Sequence, residues 1–231
     1  MHAQEDGGKR LRNRRQNPVV KTRIAFSPVI GLYKPNKHHT SGARPKMAFN
    51  LSLKEEIRLD KKNRYFFMIG AEYMLHGVSF NSYYFYADSL HLYNGKMNAH
   101  YNLTIQELDI PVQLKYSFQQ ETNTIVSGYL FGGYCSRWLL SNHMKVANNG
   151  EEKFDGPEKL KFKSPVFSST NNSFLFFGIG TQRNTQLRHN AVFAEIQFRY
   201  SLSPIYFEES FAPSSMYINN HFILLTVGFK L

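Results

Sequence analysis

The sequence predicts an all-β protein, an eight-stranded antiparallel up-and-down transmembrane β-barrel with a basic N-terminal extension. Three observations lead to this class. After residue 22, apolar and polar residues alternate with a period of two, which is the pattern of β-strands. The alternating segments number eight. Their connections are alternately long and short, as in a barrel with short turns at one rim and long loops at the other.

The composition excludes several other classes. The chain of 231 residues carries 28 Lys and Arg against 17 Asp and Glu, a net charge of +11, and 15% of its residues are aromatic. No stretch approaches the ~18 consecutive apolar residues of a membrane-spanning helix, which excludes a helical membrane protein. The single cysteine, Cys135, excludes an internal disulfide and a cysteine-based structural zinc site.

The first four predicted strands cover residues 22–34, 46–59, 65–76 and 103–118. The second has the clearest alternation and is followed by the polar turn 60–64. In the fourth, Leu103 and Ile105 are out of phase with Leu108, which predicts a bulge near Gln106. Pro111 lacks an amide hydrogen, so we expect weak pairing at that position of the strand.

The last four predicted strands cover residues 125–144, 173–182, 191–202 and 217–231. An even number of strands places both chain termini at the rim of the short turns. The long connections are 35–45, 77–102, 145–172 and 203–216; the short ones are 60–64, 119–124 and 183–190.

A soluble lipocalin-like barrel would show the same alternation with its apolar faces turned inward. The polar faces of the predicted strands, however, carry charges of both signs at mid-strand, which favours apolar faces in lipid and an ion-paired interior. Eight strands enclose an interior that side chains fill, so we expect a charge network that fixes the barrel shape rather than a conducting pore. A proton or ion pathway is the alternative for this lumen charge network, which comprises Glu72, Asp109, Lys115, Arg137, Glu195 and Arg199.

The N-terminal block, residues 1–21, differs in composition from the rest of the chain. His2-Ala3-Gln4 resembles the end of a cleaved export signal behind an added start residue. The block has too few apolar residues to fold alone, so it is either a solvated tail or a contact for an acidic protein face or anionic lipid. The residues that would make this contact are Lys9, Arg10, Arg12, Arg14 and Arg15. A second basic cluster comprises Lys34, Lys37, Arg44 and Lys46, with no acid between them. Outside these two clusters the chain is nearly neutral, so no nucleic-acid partner is expected.

Two further groups of residues could carry function. Tyr83, Tyr84, Phe85, Tyr86 and Tyr93 make the second long connection aromatic, either through rings that pack on each other or as a contact surface for a partner. Four histidines lie near serines or an acid, at spacings that chance explains, so no catalytic residue, cofactor or metal is expected. The set is His76, His91, His100 and His143, with Ser79, Asp88, Ser89 and Ser141.

The fourth strand carries the phrase Leu108-Asp109-Ile110-Pro111-Val112-Gln113-Leu114-Lys115-Tyr116, and residues 128–134 form a glycine-aromatic strand. With residues 176–180 and 227–231, these motifs resemble the outer-membrane β-barrel proteins of Bacteroidetes, the PorT-like family, over residues 22–231. Members often end in Phe, whereas this chain ends in Leu231. The resemblance implies a bacterial outer-membrane location, and its PorT branch is implicated in type IX protein secretion.

We therefore expect a non-enzymatic outer-membrane barrel, with both termini in the periplasm, that serves as a subunit or accessory of an envelope machine for secretion or outer-membrane assembly. The expected partners are outer-membrane lipid, lipopolysaccharide and other envelope proteins. A lipid-modifying outer-membrane enzyme and a free-standing structural or adhesive barrel remain the alternatives.

Overall fold

A computed structural model describes residues 20–35, 40–87, 94–119, 125–148, 151–156, 160–162, 171–184, 190–207 and 217–231. Within these ranges all the regular structure is β-strand, and no helix is long and apolar enough to cross a membrane. The strands are β1 (Val20–Pro35), β2 (Thr40–Pro45), β3 (Ala48–Arg58), β4 (Tyr65–Ala87), β5 (Asn94–Ser117), β6 (Val126–Asn148), β7 (Glu151–Gly156), β8 (Leu160–Phe162), β9 (Asn171–Asn184), β10 (Ala191–Ser201), β11 (Ile205–Phe207) and β12 (Tyr217–Lys230).

Eight long strands form a closed antiparallel ring in the order β1-β3-β4-β5-β6-β9-β10-β12, and β12 pairs with β1 to complete it. The closing ladder runs from Arg23 opposite Lys230 to Pro35 opposite Ile218. A closed ring leaves no strand edge unpaired, which is a requirement for a sheet in lipid. The eight-stranded barrel is confirmed.

The polar turn 60–64 connects β3 to β4 and is built around one carboxylate. Asp60 accepts hydrogen bonds from the backbone N–H groups of Lys62, Arg64 and Tyr65 at 3.0, 2.8 and 2.8 Å. Asn63 has a φ of 53°, a left-handed conformation that Asn tolerates better than most residues. This local chemistry lets the chain reverse between two adjacent strands within five residues.

The connections predicted to be long are only partly loops, which corrects the sequence interpretation. β4 and β5 are 23 and 24 residues long. Their ladder runs from Tyr65 opposite Tyr116 to Ala87 opposite Asn94, so most of residues 77–102 is regular strand. β2 also pairs with β4, and β11 with β12, so these short strands extend the wall above β3 and β10. β7 pairs with β6, and β8 with β11. The wall therefore continues well above the segments predicted to cross the membrane.

The inward face of β5 explains why Leu103 and Ile105 are out of phase with Leu108. Every second residue from Ala99 to Ser117 is buried, without interruption. What changes is the polarity: Leu103 and Ile105 face inward above Glu107, whereas below that point the apolar residues face outward. The alternation of the strand continues unchanged, but its outward face contacts lipid below this point and water above it.

The bulge predicted in the fourth strand near Gln106 is not on β5, which pairs with β4 through Gln106 and Glu107 without a shift; a bulge at the same level lies on the neighbouring strand β6. The β5–β6 register shifts between Gln106 and Glu107, where Gln106 opposes Ser141 and Glu107 opposes Leu139, which leaves Leu140 as the additional residue. The ladder to β4 lacks pairs at Ile110 and Pro111, consistent with the missing amide hydrogen of proline. Pro111 does align with Cys135 of β6.

Candidate functional site: the filled lumen and the extended wall

The lower lumen, nearest the short turns, is organised around the buried carboxylate of Glu56. Its oxygens lie 2.8 Å from Lys230 Nζ, 3.0 Å from Lys115 Nζ and 3.5 Å from Arg23 Nη1. Arg23 also pairs with Glu195 at 2.5 Å. These groups come from five different strands, and pairs such as Lys115–Glu56 and Arg23–Glu195 join strands that are not neighbours in the ring. Because charges in a low-dielectric interior need partners, the set must fold as a unit.

A second cluster occupies the middle of the lumen. Arg199 donates to Asp109 at 2.7 Å and pairs with Glu72, which also lies 2.7 Å from Lys54 Nζ. Arg137 Nε lies 3.2 Å from Asp109 and 2.8 Å from Glu107. The Arg137 guanidinium lies over the ring of Phe174 with a 3.6 Å separation from the centroid. The cluster is thus both ion-paired and packed on an aromatic ring.

His76 and Tyr33 end this cluster at its upper side. The Tyr33 hydroxyl lies 2.8 Å from His76 Nδ1, and His76 Nε2 lies 2.9 Å from Glu107. At the lower side, Lys54 Nζ donates to Gln113 Oε1 at 3.2 Å, and Gln113 and Arg23 both contact the sulfur of Met68. The two charge clusters therefore belong to one connected network.

All six residues of the predicted lumen charge network are buried inside the barrel. The sequence interpretation omitted five further members of the network, although each lies on the polar side of its strand and the alternation could have found them. Among the described residues, the buried Lys and Arg side chains number six and the buried Asp and Glu side chains five. They are Arg23, Lys54, Lys115, Arg137, Arg199 and Lys230, and Glu56, Glu72, Glu107, Asp109 and Glu195.

Above the charges, the interior is apolar. One buried cluster fills the part of the barrel that lies beyond His76, and the rings of Phe80 and Tyr101 stack within it at 5.1 Å. Its members are Val78, Phe80, Ala99, Tyr101, Leu103, Ile105, Met144, Val146, Ile205 and Ile218. The interior is therefore occupied both by ion pairs and, above them, by a conventional hydrophobic core.

The outer surface shows the reverse arrangement. On β5 the outward residues are apolar from Leu108 to Tyr116, nine positions or about 30 Å of strand at ~3.4 Å per residue, and polar from Gln106 upward. A tilted strand of this length matches an apolar band about 25 Å tall. Tyr65, Tyr116 and Phe118 pack together at its lower edge, and half-exposed Trp138 lies near its upper edge. Such aromatic positions are typical of the membrane interface.

The other predicted site residues lie in different surroundings. The backbone of Tyr83, Tyr84, Phe85 and Tyr86 belongs to β4 rather than to an irregular loop, while their side chains and Tyr93 lie outside the described residues. The basic residues 9–15 also lie outside them.

The candidate histidines separate into two environments. His76 is buried in the lumen beside Glu107, whereas His143 pairs with Asp155 on the exposed wall. His91, Ser89 and Asp88 lie outside the described residues. In the described ranges, no three His, Cys, Asp or Glu side chains are grouped as a metal site.

The fold and the apolar band together define a membrane β-barrel, and comparison with protein families identifies its group. Residues 18–207 match the family model described as the outer membrane protein beta-barrel domain. The chain belongs to this family, and we conclude that it is a bacterial outer-membrane β-barrel protein. Comparison with the curated proteins found no match.

Solved structures match this chain at low sequence identity, and the first of the three below resembles it in fold. The outer membrane protein OprG from Pseudomonas aeruginosa is 11% identical, with a TM-score of 0.54 over 93% of this chain and 97% of that one. Neisserial surface protein A is 12% identical, with a TM-score of 0.44 over 93% and 97%. Ail, the attachment invasion locus protein of Yersinia pestis, is 12% identical, with a TM-score of 0.39 over 92% and 99%.

Proposed function

We propose that the protein is a non-enzymatic subunit or accessory of an envelope machine, such as type IX protein secretion or outer-membrane assembly. The observation that supports this proposal is a filled interior combined with a wall that continues far beyond the apolar band. A filled interior offers no path for a solute, whereas a long, regular wall offers surface to a partner protein. As the finer assignment, we propose that the chain belongs to the PorT-like family of Bacteroidetes outer-membrane barrels, which residues 108–116, 128–134, 176–180 and 227–231 resemble.

The partner test is chemical crosslinking in native membranes, followed by solubilisation and identification of the proteins that co-purify with a tagged chain. We expect at least one other envelope protein in stoichiometric amount. A tagged, unrelated barrel from the same membranes is the control. Recovery of the chain with lipid alone, under crosslinking that captures known complexes, would identify a free-standing barrel and overturn the proposal.

We further propose that the rim of short turns and both chain termini face the periplasm, with the extended wall outside the cell. The support is the general architecture of outer-membrane barrels, in which short turns are periplasmic. Labelling whole cells with a membrane-impermeant maleimide tests it, because Cys135 is fully buried and should stay silent. Asn81→Cys on the wall should label in intact cells, and Lys61→Cys in the turn only after lysis; the reverse pattern would invert the orientation.

Residues Lys9, Arg10, Arg12, Arg14 and Arg15 are proposed to contact an acidic face of the partner or anionic headgroups. Deleting residues 5–18 should leave barrel folding and heat resistance unchanged but weaken association with the partner complex. Raised salt should weaken the intact complex in the same way, since the Debye length is ~8 Å at physiological ionic strength. Equal recovery of partners by the truncated protein would assign the segment to a solvated leader.

A further inference from the structure

The outward face of β4, β5 and β6 changes from apolar to polar along one line. Leu75, Leu108 and Leu140 belong to the apolar band. Above them, Gly77, Thr104 and His143 are aligned in register across the three strands and form a row without large apolar side chains. The next row contains Ser79, Asn102 and Lys145. Because this face begins where the apolar band ends, it lies at the depth of lipid head groups.

Lys46 enters this face from the break between β2 and β3. Its side chain runs over Gly77, where a Cβ would come within 2.9 Å of Lys46 Cδ, and its Nζ donates to Thr104 Oγ1 at 2.9 Å. Partial burial lowers the pKa of Lys46, and the group that its Nζ contacts on β5 is this hydroxyl rather than a carboxylate. Because Gly77 has no side chain, it leaves a groove on the outer surface of the wall in which the Lys46 side chain lies.

Arg44 adds a second positive charge beside Lys46. It pairs with Ser79 in the β2–β4 ladder and is exposed, while the preceding Ala43 packs on the interior core, so Arg44 lies on the outward side. Asp155 of β7 lies 2.6 Å from Lys145 of β6 and also pairs with His143 of β6. The excess positive charge of this face therefore comes from Arg44 and Lys46.

Apolar side chains project outward below the row of Gly77, Thr104 and His143. Met47 is 98% exposed at the break after Lys46, and Trp138 and Leu140 are about half exposed on β6. Polar positions continue upward through Asn102, Asn81 and His100, the last two joined at 2.9 Å. The face thus presents cations and hydroxyls at head-group depth, apolar side chains beneath them, and polar surface above for a head group larger than one phosphate.

We propose that Arg44 and Lys46, with Thr104 and Ser79, bind a phosphate of a phosphorylated glycolipid of the lipid A type in the outer leaflet. Its acyl chains would contact Met47, Trp138 and Leu140. This inference rests on the proposed orientation, in which the extended wall lies outside the cell. It names a lipid ligand for the wall in addition to the protein partner proposed above.

The test uses the full-length protein in detergent, titrated with bisphosphorylated lipid A. Trp138 is the only tryptophan of the chain and is exposed on β6, opposite Leu108 and below Thr104, where the acyl chains are proposed to lie. Its fluorescence therefore reports binding, and native mass spectrometry counts the bound lipid. The double variant Arg44→Gln/Lys46→Gln should bind at least tenfold more weakly, because basic residues at a membrane surface each contribute to attraction for anionic lipid. The matched control, Lys61→Gln/Lys62→Gln, removes the same charge at the opposite rim and should bind as the parent does.

Dephosphorylated lipid A and phosphatidylglycerol complete the test. Both should bind at least tenfold more weakly than lipid A; equal binding of either would overturn the proposal, as would equal losses in the two double variants. Heat-dependent gel migration of both variants must match the parent, which separates lost binding from lost folding. Binding in detergent does not depend on orientation. A periplasmic label at Asn81→Cys would therefore overturn the orientation and the outer-leaflet location of the ligand, whereas loss-free binding by Arg44→Gln/Lys46→Gln would overturn the site and leave the orientation standing.

Discussion

At the scale of single residues, neighbouring side chains on one strand have opposite environments. Glu55 and Glu56 follow each other on β3, yet Glu55 is on the outward side, where it accepts a hydrogen bond from the Thr22 hydroxyl at 2.9 Å. Glu56 is buried among three cations in the lumen. The period of two in a strand places identical carboxylates in surroundings that differ completely.

Glu56→Gln should destabilise the barrel strongly. The substitution removes the charge that balances Lys115, Lys230 and Arg23, and breaking a buried ion pair costs about 3–5 kcal/mol because the remaining charges are left unpaired. Glu55→Gln is the matched control and should cost under about 1 kcal/mol, as expected at a partly exposed pair. Urea unfolding in lipid vesicles measures both variants. Similar losses at the two positions would argue against the lumen network as a stabilising unit.

The turn residue Asp60 supplies a pH-dependent contribution. Burial by itself would raise the pKa of Asp60, but hydrogen bonds from the backbone N–H groups of Tyr65, Arg64 and Lys62 hold it below its ordinary value of 3.8. A carboxyl whose pKa is lowered by folding stabilises the folded state above its unfolded pKa, and this stabilisation is lost as pH falls through the folded value.

Asp60→Asn should therefore be less stable than the parent at neutral pH, with a difference that narrows below about pH 4. Unfolding midpoints of the two proteins between pH 3 and 7 measure this. A difference that does not change with pH would show that the carboxylate charge contributes nothing to the turn.

At the scale of elements, β5 shows how one long strand of the extended wall adapts to two media. Along β5, the inward face changes from Glu107 and Asp109 to Ile105 and Leu103, while the outward face changes from Leu108 to Gln106 and Thr104. Lipid favours apolar side chains outside, and water favours them inside, so one continuous strand satisfies both media.

Arginine on the outward face should therefore be costly only within the apolar band. Leu51→Arg and Ile196→Arg, at positions about half exposed to lipid, should destabilise the barrel by roughly 2–4 kcal/mol near the bilayer midplane. Asn81→Arg, outward and exposed on the same wall above the band, is the control and should be tolerated. Reversible unfolding in vesicles measures the three variants, and equal tolerance at Leu51 and Asn81 would contradict the assigned band.

At the scale of the whole molecule, the interior is closed in two different ways. Ion pairs cross the lower and middle lumen, and the apolar cluster around Tyr101 fills the barrel above them. Planar-bilayer recordings should show no sustained conductance, in agreement with the limited width of eight strands.

Removing apolar bulk should not by itself open the barrel to ions. Tyr101→Ala deletes a large side chain from the upper core but leaves the charge network beneath it intact. Recordings of this variant are the control, and a stable open channel in either protein would mean that the lumen is wetter than the ion pairs imply.

The number of strands, their faces and the two kinds of rim could be predicted from the sequence alone. The alternation of Leu51 and Leu53 with Lys54 and Glu56 depends only on the local period of the strand. Every membrane strand has lipid on its outer side and the ion-paired lumen on its inner side, so the same rule assigns the two faces of each strand. The placement of Glu72, Asp109 and Arg199 on polar faces followed from this period.

Only the tertiary structure decided which charges meet and where the barrel ends. Arg23 and Glu195 are 172 residues apart, and Lys230 and Glu56 174, and ring closure and register bring each pair together. On β4, the described residues from Gly77 to Asn81 lack the apolar-outward pattern, because this part of the strand lies above the apolar band and buries Val78 and Phe80 instead. Local alternation determines which side of a strand is buried, whereas the medium on each side, and hence the end of the membrane span, depends on neighbours distant in sequence.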